Sequence, residues 1–279
     1  MAKFSRHIGS KIITDLMGTD LWEKKLSADC RNGNVFLAIR DNYISFYHKG
    51  GGLFEFGSKG FSTDVKYAVV IDKPLKGKIY EKSLSEADLI RNFLDGYDRI
   101  KKNCEYVSAK SEAEGVSRIY HKYPYTSDKS NVVVLDVEIT APGDSDKRID
   151  ILLFNKEIKR LRFIETKMFS NDEIKSKTKP QVIEQLERYE EMIARRKENE
   201  FLPAYQEYTD TLNKIFNLKL PKPLKIDDKV GLLIFGFDKD QKDGALAQVK
   251  KNLKTNNIHY YPLGDIKGIN AETLWKETD

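Results

Sequence analysis

Asp150, Glu165 and Lys167 are the residues whose types and spacing could do chemistry. Two short apolar runs carry them, RIDILLFN (148–155) and LRFIETKM (161–168), each interrupted by charge. Side chains two apart on a strand point the same way, so Glu165 and Lys167 share a face with Leu161 and Phe163. In the first run Ile149, Ile151 and Leu153 alternate with Asp150, Leu152 and Phe154. That pattern describes a strand buried on both faces with a carboxylate near its start. A buried charge needs a partner or a metal. Carboxylate oxygens brought together at strand ends suit Mg²⁺ or Mn²⁺, which prefer hard ligands and keep some of their waters. Such an ion can polarise a phosphoryl oxygen and lower the pKa of a bound water. Lys167 would hold the attacking water or stabilise charge building on the phosphorane. The plain alternative is a set of strand-end ion pairs, Asp150 and Glu165 with Arg148 or Lys167.

Glu-x-Lys alone carries almost no information. Glu23-Lys24-Lys25, Glu157-Ile158-Lys159 and Glu173-Ile174-Lys175 have it too, in a charged helix, a turn and a polar loop where a solvated pair needs no explanation. Glu165-Thr166-Lys167 differs in closing an apolar strand that follows the Asp150 strand across a short turn (155–159). A helix comes next, with Thr178 as its N-cap and Pro180 in the first turn, where the missing N–H costs nothing. Its stripe is Val182, Ile183, Leu186, Tyr189, Met192 and Ile193. Gln185 and Tyr189 stand one turn apart on one face. Taken singly, Gln185 reads as a solvated helix residue and Tyr189 as core.

The elements needed to position these groups follow from periodicity. Apolar residues at helical spacing fill 6–27. From Asn34, NVFLAIR, YISFYH, LFEF and VKYAVVI are separated by turn residues, which suggests an antiparallel meander over 34–72. Its aromatics (Tyr43, Phe46, Tyr47, Phe54, Phe56) are either sheet core or a surface that recognises a substrate or partner. A polar connector covers 73–82. Ser85 and Asp88 then open a helix carrying Leu89, Ile90, Phe93, Leu94, Tyr97 and Ile100, and a second helix covers 109–122. Val132–Thr140 is a strand holding Asp136 and Glu138, joined to the Asp150 strand by a Gly-Asp-Ser-Asp turn (143–146). Beyond the Tyr189 helix come a helix at 204–217, a buried central strand VGLLIFGF (230–237), a helix at 244–253 and a short last strand at 258–261.

Asp150, then Glu165-Thr166-Lys167, then Gln185-Leu186-Glu187-Arg188-Tyr189 resembles the PD-(D/E)xK nuclease superfamily, with the Gln-x-x-x-Tyr of its RecB-like branch. The likeness spans about 85–260. It implies an α/β fold: a central mixed sheet flanked by helices (an αβββαβ restriction-endonuclease-like core at 83–279). The meander pattern ahead of it makes 1–82 an N-terminal β-rich antiparallel region, expected to serve recognition or assembly. By that resemblance Asp150 and Glu165 are metal ligands, the Thr166 carbonyl a third, and Lys167 the catalytic lysine. A helix acid, Glu114 or Glu112, would add a further ligand, although both also read as surface charges. Gln185 and Tyr189 would line the site and contact the strand. Lys175, Lys177 and Lys179 would grip phosphates, or form a solvated linker. Ile149 stands where the family's name has proline, and the four cysteines of its iron–sulfur members are absent.

Bulk properties narrow the field. The chain has 279 residues, a third of them charged, 11% aromatics and a formal charge of +5, which describes a folded protein and permits a nucleic-acid partner without arguing for one. Cys30 and Cys104 exclude a disulfide framework or a cysteine-rich metal site. The four scattered histidines show no ligand spacing. No signal peptide or bilayer-length apolar run is present, so the cytoplasm and no membrane partner are expected. No GxxxxGK[ST] occurs, so an ATPase or recognition subunit would be another chain. The expected function is a Mg²⁺- or Mn²⁺-dependent nuclease acting on DNA in defence or repair, with a homodimer as the route to cutting both strands. The alternatives are a catalytically inactive nucleic-acid-binding or assembly protein of the same fold, and a scaffold using the aromatic meander.

Overall fold

The computed structural model describes residues 3–70, 89–143, 148–175 and 180–276. The chain is mixed α/β and divides into two compact units, His7–Ser117 and a second made of Met1–Arg6 with Arg118–Asp279. The division thus falls at Ser117/Arg118, later than the expected 82/83 boundary. Among the described residues no helix is long and apolar enough to cross a membrane.

The unit His7–Ser117 begins with α1 (Ser10–Met17), a π-helical turn (Trp22–Leu26) and α2 (Ser27–Arg31). A four-stranded antiparallel sheet follows in the order β1 (Phe36–Ile39), β2 (Ile44–His48), β3 (Gly51–Gly57), β4 (Gly60–Ser62). β1 is buried throughout and β2 nearly so, while Gly52, Glu55 and Ser62 on β3 and β4 are exposed. Ile44, Phe46, Phe54 and Phe56 pair across strands and are buried. Phe46 lies against Trp22, and Phe54 stacks on Tyr97. Most of the meander's aromatics are therefore core, with Tyr43 exposed.

The meander ends sooner than expected. The described part of that run, 65–70, is not a strand, because the Tyr67 and Ala68 N–H groups donate to the Asp64 and Val65 carbonyls in a turn, and Val69 alone bridges to Leu89. Of the helix expected from Ser85, the described residues 89–96 are not helical, and α3 is Tyr97–Ser108. Asn92 Oδ1 accepts from the N–H groups of Leu94 and Asp95, the local turn that competes with helix. Ser85, Asp88 and the 73–82 connector lie outside the described residues. The next helix, α4, is Glu112–Lys122.

The second unit is built on a six-stranded mixed sheet. β5 (Val132–Thr140), β6 (Arg148–Asn155) and β7 (Arg160–Met168) are antiparallel neighbours. β9 (Gly231–Phe235) and β10 (Tyr260–Leu263) continue the sheet in parallel, and β8 (Lys225–Ile226) pairs with the start of β7. Every residue of β9 is buried, as its unbroken apolar run requires. Helices α5 (Gln181–Arg196), α6 (Leu202–Phe216), α7 (Lys239–Asp243) and α8 (Ala245–Thr255) accompany the sheet. The whole predicted stripe of α5 is buried. Pro180 stands just before its first residue, while Thr178 and the turn residues 144–146 lie outside the described part. α6 stops at Asn217, which takes the left-handed conformation (φ 54°) that asparagine tolerates.

Asp136 of β5 is fully buried and sits where the β5–β6 register shifts. Arg6 Nε donates to its Oδ2 at 2.9 Å and the Tyr205 hydroxyl to the same atom at 3.0 Å, with the Arg6 guanidinium 4.4 Å from the centre of the Phe4 ring. Breaking a buried pair by deleting one partner leaves a desolvated charge. Arg6→Ala should therefore cost about 3–5 kcal/mol, read as a lower denaturation midpoint, and Arg6→Lys should recover part of it.

Candidate active site

β6 and β7 run as a ladder only as far as Ile151 opposite Ile164. Beyond that point they part. β6 keeps its bonds to β5 through Ile149 and Arg148, while β7 keeps its bonds to β9 from Glu165 to Met168. Asp150 and Glu165 are the first residues of the resulting fork, and continuing the alternation puts them opposite one another on the face that also carries Lys167. The Asp150 side chain spans the gap. Its Oδ2 accepts from the Thr166 N–H at 2.8 Å and the Thr166 hydroxyl at 2.7 Å. The N–H and C=O of one strand residue point to the same side, so the Thr166 carbonyl also faces β6.

Glu165 and Lys167 are buried, 2% and 6% exposed, whereas Asp150 is half-buried. Lys167 Nζ lies 3.0 Å from Glu165 Oε1 and 2.7 Å from Glu173 Oε2. Burial favours the neutral amine, but the two carboxylates outweigh it and raise the Lys167 pKa above its ordinary value. Its stabilising contribution is accordingly intact through the neutral range and is lost only as pH climbs through that raised value. Tyr189 of α5 is buried, accepts from Gln185 Nε2 at 2.7 Å and donates to the Arg148 carbonyl at 2.8 Å. Burial first, then the Glu165 and Asp150 carboxylates, push its pKa up.

Asp150, Glu165, Thr166, Lys167 and Tyr189 are thus brought to one place, with Gln185 joined through Tyr189. Glu114 belongs to the other unit, where it closes the first turn of its own helix. Its carboxylate accepts from the Lys110 N–H at 2.7 Å, and its N–H donates to Ser111 Oγ. Glu112 opens the same helix. Lys175 is turned back on its own loop, donating to the Ser170 carbonyl at 2.7 Å and pairing with Asp172. Lys177 and Lys179 lie outside the described residues.

Two residues of the site were not singled out by sequence reasoning. Glu173, set aside above as part of a solvated pair, reaches Lys167 from a 3₁₀ turn (Asp172–Ile174) that Asn171 caps and the buried Ile174 anchors. A six-residue separation across a turn leaves no periodic trace; the Asn cap was the only local signal. Glu138 on β5 lies between residues paired with Ile149 and Ile151, at the level of Asp150, with a φ of 54° unusual for a non-glycine in a strand. It pairs with Arg148 Nε at 2.7 Å.

Among the described residues no group of three or more His, Cys, Asp or Glu side chains is arranged to hold a metal ion. The oxygen donors of the fork nevertheless fit Mg²⁺ or Mn²⁺, which bind proteins through one or two carboxylates with waters and substrate phosphate completing the shell. Asp150, Glu165 and the Thr166 carbonyl would hold it. Compared with known proteins, the chain matches no family model, no curated protein and no solved structure.

Glu173→Gln should remove one of the two carboxylates that raise the Lys167 pKa. Acylation of Lys167 at mildly alkaline pH, followed by peptide mass spectrometry, should then be faster than in the parent protein. An unchanged rate would mean that Glu173 does not hold the amine in solution. Tyr189→Phe should cost about 1 kcal/mol of unfolding free energy, through loss of the bond that fastens α5 to β6.

Proposed function

We propose that the chain is a metal-dependent nuclease that hydrolyses phosphodiester bonds, with DNA as the expected substrate, and that its second unit is a restriction-endonuclease-like core of the PD-(D/E)xK kind. The reading is carried by one observation. At the point where two central strands separate, a half-buried Asp, a buried Glu and a buried Lys converge. The element order from α4 through β5, β6, β7 and α5 to β9 agrees with that core.

When bound, Mg²⁺ or Mn²⁺ would supply Lewis-acid polarisation of the phosphoryl oxygen and a more acidic water. The residues of the chain supply position and charge. Asp150 is oriented by its two bonds from Thr166 and Glu165 by Lys167, so both present their oxygens without a search among rotamers. Lys167, with its pKa raised, is an ammonium at neutral pH. It can donate to an anionic oxygen and stabilise negative charge as it builds, and it is poorly suited to take a proton from water. The Tyr189 hydroxyl, pinned to the Arg148 carbonyl, fixes the β6 arm of the fork. Four carboxyl groups (Glu138, Asp150, Glu165, Glu173) against the Lys167 ammonium and the Arg148 guanidinium leave the fork acidic, which favours a divalent cation and repels a phosphate that arrives without one.

One observation favours the inactive nucleic-acid-binding alternative. Lys167 is already engaged by two carboxylates, which leaves one of its three N–H donors for substrate. The test is incubation of the protein with plasmid and single-stranded DNA in Mg²⁺ or Mn²⁺. Asp150→Ala and Lys167→Ala should each lower cleavage on the order of a hundred- to a thousandfold with circular dichroism unchanged. DNA binding that survives chelation, with no cleavage in either metal, would establish the alternative.

A further inference from the structure

The four-stranded sheet of the unit His7–Ser117 holds a groove of about 420 Å³, reached by Phe54 but lined mainly by polar groups, within the range of small-molecule sites. Cross-strand partners point to one face, and the register places Ser45, Glu55 and Ser62 in a row across β2, β3 and β4. Next to that row Tyr47 faces Gly52 across the β2–β3 ladder. Gly52 has no special backbone conformation, and a Cβ built there would meet nothing within 4 Å, so it leaves an open lane beside the tyrosine. The segment after β4 contributes the far wall with Asp64, Lys66 and Tyr67. Lys66 Nζ pairs with Asp64 at 2.8 Å and lies 4.9 Å from the centre of the Tyr67 ring.

This combination selects among ligands. A purely apolar molecule would desolvate Glu55 and Asp64 without giving them partners, and a simple anion would meet two carboxylates for one ammonium. A flat ring carrying N–H donors on its edge satisfies all the groups. The half-buried Tyr47 offers a π face, the carboxylates accept from an exocyclic amino group, and Lys66 can meet an attached phosphate. We propose that the groove binds an unpaired, amino-bearing nucleobase. It does not rest on the hydrolytic reading of the other unit, and either can fail alone.

The test is calorimetric titration of the full chain with AMP, CMP, GMP and UMP in chelator, so that cleavage plays no part. Saturable binding of at least one amino-bearing nucleotide, tighter than UMP, is expected. Gly52→Leu, which fills the lane without backbone strain, should weaken it about tenfold or more, the scale of one base–aromatic contact. Glu55→Gln, at an exposed position, should erase the preference over UMP and decides the matter alone if the leucine variant does not fold. A short single-stranded oligonucleotide separates the sources. If Gly52→Leu weakens oligonucleotide and mononucleotide alike, the base belongs to a strand; if only the mononucleotide suffers, the ligand is free nucleotide. No saturation by any of the four, or wild-type binding in both variants, would overturn the proposal.

Discussion

The Thr166 amide sits in a fully buried residue at the place where its strand loses its antiparallel neighbour, and an unpaired buried N–H costs about 1–3 kcal/mol. The Asp150 carboxylate supplies the missing acceptor, and takes the Thr166 hydroxyl as well. Most of what surrounds the fork follows from that exchange of a backbone bond for a side-chain bond. β6 is drawn one way by β5 and by the Tyr189 bond to Arg148. β7 is drawn the other way by β9, whose parallel register runs from Glu165 to Met168. The arms stay apart because each has its backbone hydrogen bonds satisfied by another strand, and the Asp150 side chain bridges them.

Electrostatics then decides what the opening favours. Glu165 and Lys167 are buried together, and a second carboxylate arrives on a separate turn to meet the same ammonium. Such an arrangement stabilises the fold weakly, since desolvation offsets much of the attraction, but it fixes side-chain positions that would otherwise wander. Asp136 with Arg6 and Tyr205 is a second buried cluster on the neighbouring strand β5, closed by neutral and charged partners from the chain's N-terminal segment and α6. The contrast is informative. The Asp136 cluster is fully buried and structural, whereas Asp150 stays half-exposed at the end of a ladder.

The other unit repeats the logic on a smaller sheet. One face of its four strands is closed by Phe46, Phe54 and Phe56 against Trp22 and Tyr97. The opposite face carries Ser45, Glu55 and Ser62 across β2 to β4 and leaves a groove at Gly52, where a side chain would have filled it. The two sheets differ in this respect: the smaller leaves a groove unfilled at Gly52, whereas the fork of the larger is occupied by the Asp150, Glu165 and Lys167 side chains.

By itself the sequence determined the elements whose signals are periodic and local. These are the β5–β6–β7 run, the buried β9 strand, the stripe of α5 with Gln185 and Tyr189 on one face, and the pairing of Asp150 with Glu165-Thr166-Lys167. Period-two and period-3.6 patterns survive in the chain because burial imposes them one element at a time. Only the tertiary structure decided where β6 and β7 separate, since that depends on which strand competes for which backbone bonds. It brought Glu173 to Lys167 and set Glu138 beside Asp150, contacts made across a turn and between strands and written in no repeat. It also shortened the meander and delayed α3, where Asn92 and the Asp64–Ala68 turn overrode apolar runs that spacing alone reads as regular. Local pattern reports what a segment must bury, and the neighbours it is buried against are chosen by the whole chain.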